Sequence, residues 1–306
     1  MMREKYAGVI PAFYACYDGR GTVNKEQTAA LAEYFLDKKV KGIYVNGSSG
    51  ECIYQSPAER KKTLEAVMDV VGGKMTVIAH VACNNTADSM ELAAHAESLG
   101  VDAVAAIPPI YFRLPEHAVA DYWNSISAAA PRTDFIIYNI PQLAGTALTP
   151  QLLKTMLRNE RVIGVKNSSM PVQDIEIFKS AAERECIIFN GADEQFAGGR
   201  AMGADGGIGG TYGVMPELFL EMDRMIAQGR IEEAGNIQYQ VNHIIRVLNS
   251  SRASMYAVIK EVLRINEDLD IGDVRAPLPL LDETGRSAAV SAARLIRQAV
   301  SRIRRK

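Results

Sequence analysis

Lys166 closes the run Arg161-Val162-Ile163-Gly164-Val165-Lys166, a β-branched stretch that reads as a strand. Alternation along a strand places Val162, Gly164 and Lys166 on one face, and the glycine leaves space beneath the amine. An amine held away from water loses its proton more readily, and the neutral form can attack a carbonyl carbon to give a Schiff base. The same spacing also suits a strand-end lysine that reaches back to solvent or pairs with an acid. Tyr138, in the apolar run Phe135–Ile140, has two readings as well. Its phenol can be a core aromatic bonded to backbone, or it can move protons for Lys166 if the two strand ends are neighbours.

Other polar residues follow strand-like runs. Gly47-Ser48-Ser49-Gly50-Glu51 sets hydroxyls and free N–H groups on a tight loop, which suits either a capped turn or a carboxylate cradle. Tyr111, Asn139, Asp193 and Glu194 hold comparable positions. The glycine-rich run Gly203–Gly210 lacks the Gly-Lys-Ser/Thr ending of a phosphate loop, so it reads as a strand with close backbone approach. Four cysteines and four histidines are scattered and form no Cys-x-x-Cys. That spacing predicts reduced thiols in a cytoplasmic protein and no metal site.

The elements that must position these residues are eight strand-like runs: Gly8–Cys16, Gly42–Val45, Thr76–Val81, Val101–Ile107, Phe135–Ile140, Val162–Lys166, Cys186–Asn190 and Gly206–Ile208. Helix starts lie between them. Ser56-Pro57-Ala58-Glu59 is a capping box with proline at the first helical position, and Asn24, Thr86 and Thr149-Pro150 open others. Strand and helix in alternation imply parallel β-α-β units, and eight of them imply a closed (β/α)8 TIM barrel with its site at the C-terminal strand ends. The open dinucleotide-binding sheet is disfavoured because no G-x-G-x-x-G follows the first strand. Residues 1–215 read as the barrel core. Residues 216–306 read as C-terminal helices that complete the barrel and extend beyond it, with Arg294–Lys306 a solvated basic helix.

Composition removes several classes of function. Lys+Arg number 34 and Asp+Glu 36, a net charge of −2, so the chain has no general attraction for nucleic acid. No uncharged apolar run reaches the ~18 residues of a membrane span. Arg3 and Lys5 precede the apolar stretch Tyr6–Tyr17 as in a leader, but Pro11 and the aromatics within it favour a first strand.

Together these segments resemble the pyruvate-dependent class I aldolases, the family that includes N-acetylneuraminate lyase and dihydrodipicolinate synthase. Gly42–Glu51 is similar to the family's strand 2 motif, Tyr138-Asn139-Ile140-Pro141 to its strand 5 motif, and Gly203–Tyr212 to its strand 8. Lys166 falls where its Schiff-base lysine falls. The resemblance covers nearly the whole chain and implies roles. Lys166 would form an imine with pyruvate or a 2-keto acid, and Tyr138 would shuttle protons. Ser48 and Ser49 would hold the carboxylate, and Ser48 would link Tyr138 to a Tyr111 contributed by a neighbouring subunit. It also implies a homotetramer, arranged as a dimer of dimers, and no cofactor, since the imine nitrogen serves as the electron sink.

Within the family the motifs favour the lyase branch. Leu143 stands where dihydrodipicolinate synthases carry an arginine for their second substrate's carboxylate, and His80-Val81-Ala82-Cys83 resembles a lyase segment. Asn190–Ala197 resembles the segment whose Gly191, Asp193 and Glu194 would contact the sugar-derived chain. Sialic acid lyases usually carry tyrosine at Ala192, serine at Gly210, and threonine at Ser49 and Ser168. The expected activity is therefore reversible cleavage of N-acetylneuraminate to pyruvate and N-acetylmannosamine. Alternatives are an aldolase or dehydratase for another 2-keto-3-deoxy sugar acid, a dihydrodipicolinate synthase, or a non-catalytic carbohydrate-binding relative.

Overall fold

The computed structural model describes residues 2–304. Among them, eight strands pair in parallel: β1 (Val9–Pro11), β2 (Gly42–Val45), β3 (Thr76–His80), β4 (Ala103–Ala106), β5 (Asp134–Asn139), β6 (Val162–Asn167), β7 (Ile187–Asn190) and β8 (Gly206–Gly209). Their order is β1-β8-β7-β6-β5-β4-β3-β2. A bridge from Ala12 to Tyr44 spans the remaining seam, where the Phe13 N–H donates to the Tyr44 carbonyl at 2.9 Å. The sheet thus closes into the expected TIM barrel, with helices between successive strands.

Period-two alternation divides the strand side chains between two cores. Ile10, Tyr44, Ile78, Ile136, Tyr138 and Ile208 cluster inside the barrel. Ile43, Val45, Val77, Phe135, Ile137 and Ile188 pack against the surrounding helices. The cap signals are realised locally. Ser56 and Glu59 form the reciprocal capping box, Asn24 and Thr149 accept from the N–H three residues on, and Asn85, one residue before the expected start, caps the helix Thr86–Ser98.

Strand β6 departs from strict alternation. Phe135 pairs with Val162 but Ile136 pairs with Gly164, which leaves Ile163 as an extra residue. This bulge turns Ile163 into the barrel and Val162 toward the helices, so Val162 does not share the face of Lys166. Gly164 also differs from expectation. A Cβ there would run into the Ile187 carbonyl, so the glycine lets β7 approach rather than making room under the lysine. The first strand is shorter than predicted: regular pairing ends at Pro11, and beyond it only the Ala12 and Phe13 N–H groups bond across, to the Gly209 and Tyr44 carbonyls. Before it, the helix Met2–Tyr6 caps the N-terminal strand ends, where the Tyr6 hydroxyl meets the Asp102 carbonyl and the Asp134 carboxylate, each at 2.8 Å.

After β8 come the helices Pro216–Ala227, Ile231–Leu248, Met255–Glu267 and Glu283–Arg304. The last begins earlier than Arg294 and is not simply solvated, since Ala288, Ala289, Ala292, Ala293 and Ile296 are buried. Arg305 and Lys306 lie outside the described residues. This C-terminal layer grips the loop after β2. Glu51, with φ at +53°, is buried and sits 3.2 Å from the Lys260 ammonium, and its second oxygen accepts the Arg275 N–H at 2.8 Å. Glu51 is therefore an anchor and not a reacting group.

Removing one partner of a buried ion pair strands the other charge. Lys260→Met is expected to cost about 3–5 kcal/mol, read as a lower urea midpoint, and adding Glu51→Gln should recover much of that loss. Equal destabilisation of the single and double variants would show that the pair is not the anchor.

Candidate active site

The β5–β6 register sets Tyr138 directly beside Lys166. Lys166 is 4% exposed, and its Nζ lies 3.9 Å from the Tyr138 ring centroid and 4.0 Å from that of Tyr44. Burial pulls the amine from the ordinary 10.5 down to about 7, with Asp193 and Cys52 opposing the shift. A sizeable neutral fraction at physiological pH makes it a competent nucleophile. Burial pushes the Tyr138 phenol up to about 12, against the pull of the neighbouring Ser168 and Ser48 hydroxyls. It therefore stays protonated and can donate.

Both residues open onto a cleft of about 240 Å³ at the C-terminal strand ends. Ser48, Ser49, Ser168, Gly191, Asp193 and Glu194 also line it, so the fold gathers nearly every residue singled out in the sequence. Ser48 is exposed at the lip, while Ser49 is buried and donates to the Tyr256 hydroxyl at 3.1 Å. The buried Ser168 hydroxyl lies beside the Tyr138 phenol, and a Cβ at Gly191 would run into its Oγ. Asp193 is 7% exposed, and one of its oxygens accepts from both the N–H and the hydroxyl of Thr211 at 2.6 Å. Burial raises its carboxyl to about 6 although the Thr211 bonds pull down. Glu194 is exposed at the mouth.

Two candidates lie elsewhere. Asn139 is spent on structure: its amide N–H donates to Asn167 at 2.7 Å and its oxygen accepts from the Leu148 N–H at 2.9 Å. Tyr111 is 90% exposed, with φ at +87° and its ring edge-on to Phe112. It belongs to a separate open cleft with Asn84 and Tyr122, so this chain alone does not bring it to Lys166.

Sequence reasoning missed Thr211, Tyr256 and Tyr44. Thr211 lies two residues after β8, so its position was a signal of the kind used for the other strands. Tyr256 comes from the first turn of the helix Met255–Glu267 and had no local mark. Its hydroxyl accounts for Gly210, where a Cβ would lie 3.0 Å from Ser49 Oγ and 3.3 Å from Tyr256 Oη. A tyrosine hydroxyl thus borders the space that a side chain at position 210 would enter. No three His, Cys, Asp or Glu side chains converge as metal ligands among the described residues.

The model of the Dihydrodipicolinate synthetase family matches residues 5–295. An N-acetylneuraminate lyase of Mediterraneibacter gnavus is 64% identical over 293 residues, which cover 96% of this chain and 93% of that protein. The wild-type sialic acid aldolase of Ruminococcus gnavus is 62% identical and superposes with a TM-score of 0.96 over 97% of this chain and 99% of that one. A catalytic lysine mutant of the same aldolase superposes with the same TM-score at 62% identity, over 98% of each chain.

A lysine whose folded value lies below 10.5 binds fewer protons folded than unfolded, so stability rises with pH between about 7 and 10.5. Its penalty is largest at and below pH 7. Lys166→Met, which keeps the apolar bulk, should raise the thermal midpoint at neutral pH, with a gain that shrinks toward zero near pH 10.5. A gain independent of pH would mean that the amine's charge is not what destabilises the site.

Proposed function

Because the chain belongs to the dihydrodipicolinate synthetase family, we infer that it is a lyase which cleaves N-acetylneuraminate reversibly to pyruvate and N-acetylmannosamine. The observation that carries the reading is a buried amine, lowered to about 7, placed against a phenol that holds its proton. The relatives supply the substrate.

The Ser48 hydroxyl and loop N–H groups receive the substrate carboxylate together with the Ser49 hydroxyl, whose proton turns to it from Tyr256 Oη, and the Ser168 hydroxyl beside Tyr138 offers a further donor. Lys166 attacks the C2 carbonyl of the open-chain sugar acid. Tyr138 gives its proton to the departing hydroxyl as water, which leaves an iminium on Lys166 and a phenolate. The phenolate takes the proton of the C4 hydroxyl while the C3–C4 bond breaks toward the iminium, releasing the aldehyde and an enamine. Protonation at C3 and hydrolysis then release pyruvate. The polyol tail finds acceptors in the Gly191 carbonyl, the free oxygen of Asp193 and Glu194, each hydrogen bond contributing about 0.5–1.5 kcal/mol net.

Leu143, 67% exposed on the cleft wall, offers no charge to a second carboxylate, which disfavours aspartate semialdehyde. The exposed Tyr111 and Phe112 support a homotetramer in which Tyr111 enters a neighbour's site. A cytoplasmic location agrees with four free cysteines.

Borohydride with pyruvate should attach an adduct to Lys166, seen by peptide mass mapping; an adduct on another lysine refutes the assignment. Specificity constants should favour N-acetylneuraminate over 2-keto-3-deoxygluconate and over condensation of pyruvate with aspartate semialdehyde. Preference for the shorter acid would reassign the substrate, and efficient condensation would reassign the branch. Tyr111→Phe should lower turnover while leaving the adduct intact, and a fully active monomer would exclude the shared site.

A further inference from the structure

Tyr44 does not line the substrate cleft, yet it touches the reacting nitrogen. Its ring is fully buried on β2, with Lys166 Nζ over it at 4.0 Å and over Tyr138 at 3.9 Å. The two rings meet edge to face, 5.8 Å apart at 80°, and the His80 ring stands 6.1 Å from each. The loop is shaped to admit Tyr44, since a Cβ at Gly47 would sit 2.6 Å from the ring. The Tyr44 hydroxyl has no hydrogen-bond partner, so the ring and not the hydroxyl accounts for its place.

The groups facing the amine leave it short of negative charge. Asp193 is the carboxylate that acts on it, and one of its oxygens is committed to Thr211. Burial keeps the Cys52 thiol protonated, and burial together with Arg60 and Lys166 keeps His80 neutral. Tyr44 and Tyr138 hold their protons as well. No salt bridge to Lys166 occurs among the described residues. The negative π faces of two rings are then the nearest complement to a cation at this nitrogen.

We propose that Tyr44 and Tyr138 form a two-ring cage for positive charge on the Lys166 nitrogen, and that Tyr44, whose ring touches that nitrogen, is a catalytic residue which stabilises the iminium against the neutral amine. This rests on the Schiff-base reading above. When the amine adds to the keto carbon and the hydroxyl leaves as water with the Tyr138 proton, the nitrogen becomes N⁺=C and its charge appears between the rings. When the C3–C4 bond breaks, the electron pair neutralises it. Tyr44 acts on the nitrogen through its ring face alone.

The cage has a signature that packing lacks. It favours the ammonium and the iminium alike over the neutral amine, so its loss weakens imine formation only above the amine's own titration. The test compares Tyr44→Phe with fluorinated phenylalanines at position 44, which keep the shape and drain the π face, and with Tyr44→Leu. The readout is the pyruvate concentration that half-saturates borohydride trapping. Tyr44→Phe is the unfluorinated reference for the series. Progressive fluorination should change trapping by less than about twofold near about pH 6, weaken it about 3–10-fold near about pH 8.5, and move the acid limb down by about 0.5–1 unit. Equal loss at both pH values, or none along the fluorine series, would overturn the cage. Absence of a Lys166 adduct in the wild-type enzyme would instead overturn the Schiff-base reading, and the two failures are seen separately.

Discussion

The Lys166 amine is buried, no carboxylate among the described residues reaches it by hydrogen bond, and folding carries the cost of drying it. Much else in the molecule follows from that constraint. The amine must emerge on the inner face of β6, and the bulge at Ile163 sets the phase that puts it there. A strand one residue out of step would turn Lys166 into the helix layer. The register with β5 then places Tyr138 next to it without help from any loop. The buried amine and the phenol beside it are thus fixed by backbone pairing, the most rigid device a barrel has.

Charge around the amine is graded in the same spirit. Asp193 is buried enough for its carboxyl to rise to about 6, and the paired Thr211 donors hold it partly in check. A fully ionised carboxylate in contact with Lys166 would lock the amine as a spectator cation. A distant one would leave a cation at this nitrogen without any opposing charge. The observed arrangement lies between these extremes.

What the sequence made legible was whatever is written locally. Short β-branched or aromatic runs marked the strands, and the Ser56–Glu59 box, Asn24 and Thr149 marked helix starts, because propensity and caps depend on residues close in the chain. Lys166, Tyr138 and Ser49 could be picked out because each sits at or near the end of such a run. Tyr256 could not, since it reaches Ser49 from 207 positions away, and the partners of Glu51 are 209 and 224 positions distant. The bulge was hidden because Val162 and Ile163 are equally apolar, so nothing in their types says which faces inward. The last helix was read short because alanine gives little hydrophobic signal, although Ala288, Ala289, Ala292 and Ala293 form its buried stripe.

The grip of the C-terminal layer on the loop after β2 also bears on how such a protein can change. Lys260 and Arg275 hold Glu51, and Tyr256, one turn earlier on the same helix as Lys260, reaches Ser49 beside the cleft. Substitutions accumulating in the final helices are therefore transmitted to the pocket while the strands bearing Lys166 and Tyr138 stay untouched. Divergence of substrate preference has a route here that spares the reaction itself: the barrel conserves the chemistry, and the helices laid against it are free to retune what is admitted.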